Sequence, residues 1–134
     1  MGKKFKCHKI SEGCVEAQAI VSKDNIMFYL VNPGTGVIIE KAHDLEGESI
    51  ANKVLIFPGG KGSSVVQADG LYQLKMQQNM PAAMVIQYPE TVLVSSAIIM
   101  EVPMVDKVEP EFYEEVKNGD RIRIDADNQI IEIL

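Results

Sequence analysis

The chain has 134 residues, 46% of them hydrophobic and 24% charged, with 19 acidic side chains against 13 basic ones and a formal net charge of −6. One domain spanning residues 1–134 follows; at this size it buries roughly two-thirds of its unfolded surface and needs no disulfide or metal staple. The acidic balance and the presence of only two arginines, Arg121 and Arg123, exclude a surface built to neutralise nucleic-acid phosphates.

The opening Lys3-Lys4-Phe5-Lys6-Cys7-His8-Lys9 is basic but lacks the apolar stretch of a secretion signal, and no run reaches the length of a membrane span. Cys7 and Cys14 are too few and too local for a secreted disulfide framework. These features predict a cytoplasmic protein with no membrane partner. Cys14 to Val21 then alternates, with Val15, Ala17, Ala19 and Val21 on one face, which is strand patterning. Ile26 to Val31 reads as a further strand, Asn32-Pro33-Gly34-Thr35-Gly36 as a turn, and Val37-Ile38-Ile39 as a return to the sheet.

After the polar stretch from His43 to Ser49, Val54-Leu55-Ile56-Phe57 is apolar throughout, as in a strand buried on both faces. It ends in Pro58-Gly59-Gly60-Lys61-Gly62-Ser63-Ser64. Behind that loop Val65, Ala68, Leu71, Tyr72 and Lys75 fall at helical spacing, with Ser63 or Ser64 as N-cap and an end near Gln77. Ala82 to Gln87 and Pro103-Met104-Val105 read as strands, Val92 to Ile99 as an apolar segment of either type, and Glu111 to Lys117 as one or two helical turns. Arg121 to Asp125 and Ile130 to Ile133 form a closing hairpin.

The glycine loop is the part richest in chemical potential. Its glycines let a backbone approach a ligand, and a helix starting behind them aims unpaired N–H groups and a positive dipole end into the same space. A nucleotide-binding P-loop requires Gly-Lys-Ser/Thr in that order, whereas Lys61 precedes Gly62 here, so that motif is rejected. A tight turn with a capping serine explains the same residues without any ligand. Cys7, His8, Cys14 and His43 match no structural zinc spacing, and no metal site is assigned to this chain. Asp106, Glu109, Glu111, Glu114 and Glu115 read as a solvated helix face. Met76, Met80, Met84, Met100 and Met104 serve as core filler or as an adaptable contact surface.

These segments form an ordered set from Gly13 to about Asp125. It includes Asn32 to Gly36 followed by Ile38-Ile39-Glu40, the stretch His43 to Ile50, and Val54 to Ser64. Pro81-Ala82-Ala83, Ile98 to Val105, Pro103-Met104-Val105-Asp106 and Gly119-Asp120-Arg121-Ile122 complete it. The set resembles the small subunit of the aconitase X family, a swivelling domain similar to the mobile fourth domain of aconitases. The resemblance implies a mixed α/β fold of β/β/α type, with a β-rich, barrel-like core and one or two helices.

It also implies a hydro-lyase divided over two chains and acting on a small hydroxy acid. Members dehydrate 5-phosphomevalonate or cis-3-hydroxyproline, and the former is the expectation here, from Leu45-Glu46-Gly47-Glu48-Ser49 and Lys61-Gly62-Ser63-Ser64. The large subunit would hold the iron–sulfur cluster, which two scattered cysteines could not ligate. By the same resemblance Ser63 is the catalytic base, with Ser64 as second choice, and Lys61, Gly62 and Ser64 bind substrate. A serine hydroxyl is a poor base unless its alkoxide is stabilised, which loop N–H groups, a helix N-terminus and Lys61 could do. Two positions depart from the resemblance: aconitases follow the serine pair with an arginine that binds substrate carboxylate where this chain has Val65, and family members commonly have aspartate at the turn where this chain has Asn32. A non-catalytic ligand-binding domain of the same fold is the alternative reading.

Overall fold

The structure, a computed structural model, describes residues 2–134. In chain order it comprises β1 (Lys3–Lys6), β2 (His8–Ser11), β3 (Cys14–Val21), a single 3-10 turn (Phe28–Leu30), β4 (Val54–Phe57), α1 (Ser64–Met76) and β5 (Ala83–Ile86), followed by α2 (Thr91–Ile99), β6 (Met104–Asp106), α3 (Pro110–Glu115), β7 (Arg121–Asp125) and β8 (Ile130–Ile133). Among the described residues no helix is long and apolar enough to cross a membrane.

All eight strands belong to one sheet in the order β1-β8-β7-β3-β4-β5-β6-β2. The centre, β3 to β6, is parallel, and the flanking pairs are antiparallel. The long strand β3 serves two layers: Cys14 to Gln18 pairs with β7, while Ala19 to Val21 pairs with β4. The expected barrel-like core is not a closed barrel. β1 bonds to β8 at one edge and β2 to β6 at the other, yet the two are consecutive segments of one extended stretch broken at Cys7. Among the described residues no ladder pairs β1 with β2, so the strand order does not close into a hydrogen-bonded ring.

The central strands carry two cores, one on each face. Leu55, Phe57, Met84, Ile86 and Met104 point to the side covered by α1, α2 and residues 26–50. Val54, Ile56, Ala83, Val85 and Val105 point to the side covered by α3 and the curled β7, β8 and β1. This β/β/α layering explains why Val54 to Phe57 has no polar position: side chains on both faces are removed from water.

Among the described residues three α-helices form rather than one or two. The ambiguous Val92 to Ile99 becomes α2 because Leu93, Ser96 and Ala97 share one buried face, and that packing outweighs the modest helix propensity of Val and Ile. α3 starts with Pro110, whose fixed φ and missing N–H suit a first helical position. Ile26 to Val31 is not a strand: Ile26 makes a single bridge to Gly60, then the chain turns so that Phe28 and Val31 enter the core. Val37 to Ile39 likewise makes only local bridges, to Val31 and Ser49, outside the main sheet. The basic start hides β1 and β2, in which Phe5 points inward while the lysines face out. Asp106 is not on a solvated helix face. It ends β6, is 4% exposed, and lies 2.6 Å from His8 Nδ1 across the β2–β6 pair.

Candidate active site

In an open α/β sheet the carboxyl ends of parallel strands leave a crevice between diverging loops. Three loops meet there. Residues 22–27 follow β3, residues 58–63 follow β4, and residues 87–90 follow β5. The Ile26 N–H donates to Gly59 O at 2.9 Å, the Lys61 N–H donates to Ile26 O at 3.1 Å, and the Tyr88 N–H donates to Pro58 O at 2.8 Å. His43 buttresses this set from below: its Nε2 lies 2.9 Å from Asn25 O, and its Nδ1 accepts the Leu45 N–H at 2.9 Å. Both ring nitrogens are therefore committed to the backbone, and His43 is not available as a base for a serine.

The glycines answer to distinct local demands. A Cβ at Gly60 would come within 2.3 Å of Gln67 Oε1 and 2.7 Å of Leu93 Cδ1. Gly62 has φ +103°, a conformation that strains any other residue. The turn at Gly62 delivers Ser63 as the N-cap of α1, its hydroxyl accepting the Val66 N–H at 3.3 Å. Ser64 and Val65 lie in the first turn, where N–H groups have no helical carbonyl to meet. Gly62, Ser63, Ser64 and Val65 are all exposed. An oxygen on Ser63 that gains negative charge would already have a donor and the positive helix end facing it. Capping and alkoxide stabilisation are thus one geometry, and choosing the turn-and-cap reading does not remove the chemical one.

Lys61 Nζ is 2.5 Å from Glu40 Oε2, with the glutamate side chain 20% exposed. The ammonium is thereby anchored at the rim of the loop by a partner 21 residues upstream. Lys61, Gly62, Ser63 and Ser64 thus stand together at one end of the sheet. Sequence reading quoted Glu40 without assigning it to Lys61, and missed Gln67 and the His43 buttress, since each acts through a tertiary contact. Asn32 lies in its own turn, its Oδ1 accepting the Gly34 N–H at 2.9 Å.

The family model that matches this chain, described as the aconitase X swivel domain, covers residues 4–133. The chain belongs to the aconitase X swivel domain family. It is 44% identical over 128 residues to the phosphomevalonate dehydratase small subunit of Methanothrix thermoacetophila, covering 95% of this chain and 92% of that protein. Identity to the phosphomevalonate dehydratase small subunit of Methanocella arvoryzae is also 44%, over 130 residues, 96% of this chain and 98% of the relative. The crystal structure of Thermococcus kodakaraensis aconitase X in its holo-form superposes with a TM-score of 0.89 at 39% identity, covering 98% of each chain.

Aconitase relatives imply an iron–sulfur cluster, and the thiols of this swivel domain do not fit one. Cys7 is buried between β1 and β2, Cys14 is exposed at the start of β3, and among the described residues no three Cys, His, Asp or Glu side chains converge as metal ligands. Burial, with the Asp106 and Asp125 carboxylates adding to it, pushes the Cys7 thiol up to about 11, away from the thiolate a metal needs. A surface cavity of about 580 Å³ lies at the opposite, amino end of the parallel strands, between β2 and the end of α2. Volume alone would favour it, but its Ser11 hydroxyl is spent on Ala97 O at 3.4 Å and its Lys9 pairs with Asp127 at 4.0 Å. The serine loop instead stands at the surface, open to whatever packs against it.

Proposed function

We propose that this swivel domain is the small subunit of a two-chain dehydratase, most closely a phosphomevalonate dehydratase, and that Ser63 is its catalytic base. The observation that carries the hydro-lyase reading is 36–44% identity to phosphomevalonate dehydratase small subunits over nearly the whole chain. The serine assignment is supported by the exposed loop at the carboxyl ends of β4 and β5, where Ser63 combines a hydroxyl, a helix N-terminus and a backbone donor.

In this reading Ser63 Oγ, as the alkoxide, takes a proton from the carbon beside the hydroxyl-bearing centre of the substrate. The C–H electron pair becomes the new double bond, and the C–O bond breaks to release hydroxide, whose stabilisation and protonation fall to the large subunit. The Val66 N–H and the positive end of α1 hold Oγ as the alkoxide that proton abstraction requires, lowering the cost of ionising the serine before the step. Lys61 and the N–H groups of Gly62 and Ser64 hold the anionic end of the substrate, and Glu40 keeps the Lys61 ammonium in place. The iron–sulfur group is assigned to the large subunit, a reading supported by the separation of the two thiols, buried Cys7 and exposed Cys14, among the described residues. Ile39, Val65 and Tyr88 expose apolar surface around the loop, at 53%, 78% and 72%, where that subunit would exclude water. The complex works in the cytoplasm.

The test is reconstitution with an aconitase X large subunit, followed by assay of 5-phosphomevalonate and of cis-3-hydroxyproline. Water loss from the first, by the pair and by neither chain alone, is the expected result. Turnover of hydroxyproline only would move the protein to the other branch of the family. No turnover by a well-assembled pair would favour a ligand-binding domain.

A further inference from the structure

Gln67 lies one turn into α1, 3% exposed, directly beneath the glycine loop. Its Nε2 donates to Gly62 O at 3.0 Å. Its Oε1 is buried beside Gly60 without a hydrogen-bond partner among the described residues. Flipping the amide would set Oε1 against the Gly62 carbonyl, acceptor against acceptor, so the orientation is fixed by chemistry. A buried acceptor without a donor is a costly feature in a helix of this kind. A leucine there would fill the space without it.

What the amide gains is control of one peptide plane. A trans peptide points its N–H opposite to its C=O. With the Gly62 carbonyl drawn down onto Gln67, the Ser63 N–H must point up, away from α1 and out of the loop. No acceptor among the described residues takes that N–H. At φ +103° Gly62 has the freedom to rotate this plane, so the direction depends on what grips the carbonyl. Gly60 completes the device, because any side chain there would displace the Gln67 amide.

We propose that Gln67 is a positioning residue: by holding the Gly62 carbonyl it turns the Ser63 N–H toward the anionic group of the substrate. This rests on the reading of the Ser63 loop as the active site and adds a donor to it that no side chain supplies. The donor serves ground state and transition state alike, so its loss acts on KM more than on kcat.

The experiment uses the reconstituted two-chain enzyme with 5-phosphomevalonate, comparing Gln67→Met, Gln67→Glu and Ser63→Ala. Gln67→Met is expected to raise KM about tenfold, the scale of one hydrogen bond to a charged group, with kcat within about threefold. Gln67→Glu keeps the shape and adds a titration. Protonated, the carboxyl donates to Gly62 O and KM stays near wild type; ionised, it repels that carbonyl and KM climbs with pH. A space-filling glutamine would give Gln67→Glu the wild-type pH profile, and thermal melting at each pH confirms that the compared enzymes are folded. Unchanged KM in Gln67→Met, or a wild-type pH profile in Gln67→Glu, with Ser63→Ala inactive, overturns the positioning role and leaves the serine standing. Wild-type turnover by Ser63→Ala overturns the site and the positioning role together.

Discussion

Replacing Ser63 with alanine removes an N-cap and a candidate base at once, and the two losses differ by orders of magnitude. The cap bond to the Val66 N–H is 3.3 Å, at the long end for such contacts, so its loss costs about 0.5–1 kcal/mol. For a chain of this length that lowers Tm by about 2–4 °C. Loss of a general base removes about 10²–10⁴-fold in kcat. Ser63→Asn separates the effects, because asparagine caps as well as serine but carries no hydroxyl. The melting temperature of the isolated chain and kcat of the reconstituted pair are the two measurements. Alanine is expected to lower both, and asparagine to restore Tm while leaving kcat at the alanine level. Recovery of turnover by Ser63→Asn, or near-normal turnover by Ser63→Ala, would refute the argument and reduce Ser63 to a cap.

Lys61→Met in the assembled enzyme is expected to raise KM by about tenfold or more, the scale of a hydrogen bond to a charged group. Its stability should change by less than about 1 kcal/mol, since the Glu40 pair is partly exposed; an unchanged KM would remove Lys61 from substrate binding. Gly70→Ala probes the seat of α1, because the added Cβ would meet Phe28 C and Tyr29 N, both at 2.6 Å, and backbone yields little. Overpacking outweighs the gain in helix propensity, for a net loss of about 2 kcal/mol and a Tm about 7 °C lower, and a stabilised variant would contradict the packing described. The fold should also weaken in alkali. Burial first, then nearby Asp106, raises the Cys7 thiol from 9.0 to about 11 and the Tyr113 phenol from 10.0 to about 12. The folded state thus keeps protons that the unfolded chain releases, so this stability is complete below pH 9 and lost as pH rises through 11. The urea midpoint should fall over that range, less steeply in Cys7→Ala, and equal slopes for the two proteins would contradict the assignment.

Much of the architecture was legible because burial leaves a pattern in the residues. Val54 to Phe57 is apolar on both faces since helices cover one side and a curled sheet layer the other. The strand, glycine loop and helix unit around Ser63 could be read from Pro58 to Ser64 with the helical spacing behind it. The segments that misled, as Ile26 to Val31 did, or stayed undecided, as Val92 to Ile99 did, are those whose apolar residues serve tertiary ends. Ile26 to Val31 buries Ile26, Phe28 and Val31 while lending its backbone to Gly59 and Lys61, and Val92 to Ile99 is helical because Leu93, Ser96 and Ala97 pack on the core face over the sheet.

Length, composition and the spacing of the loop residues by themselves determined an acidic α/β chain with no thiol cluster of its own and a serine at a helix start. Those properties are local or additive, so they survive in one dimension. Only the tertiary structure decided that the sheet stays open, that Glu40 anchors Lys61, that His43 is spent on backbone, and that Gln67 grips the Gly62 carbonyl. Each of those depends on which atoms meet after the chain folds. A hydrogen bond of about 3 Å between a helix and a loop leaves no periodicity in the sequence to announce it.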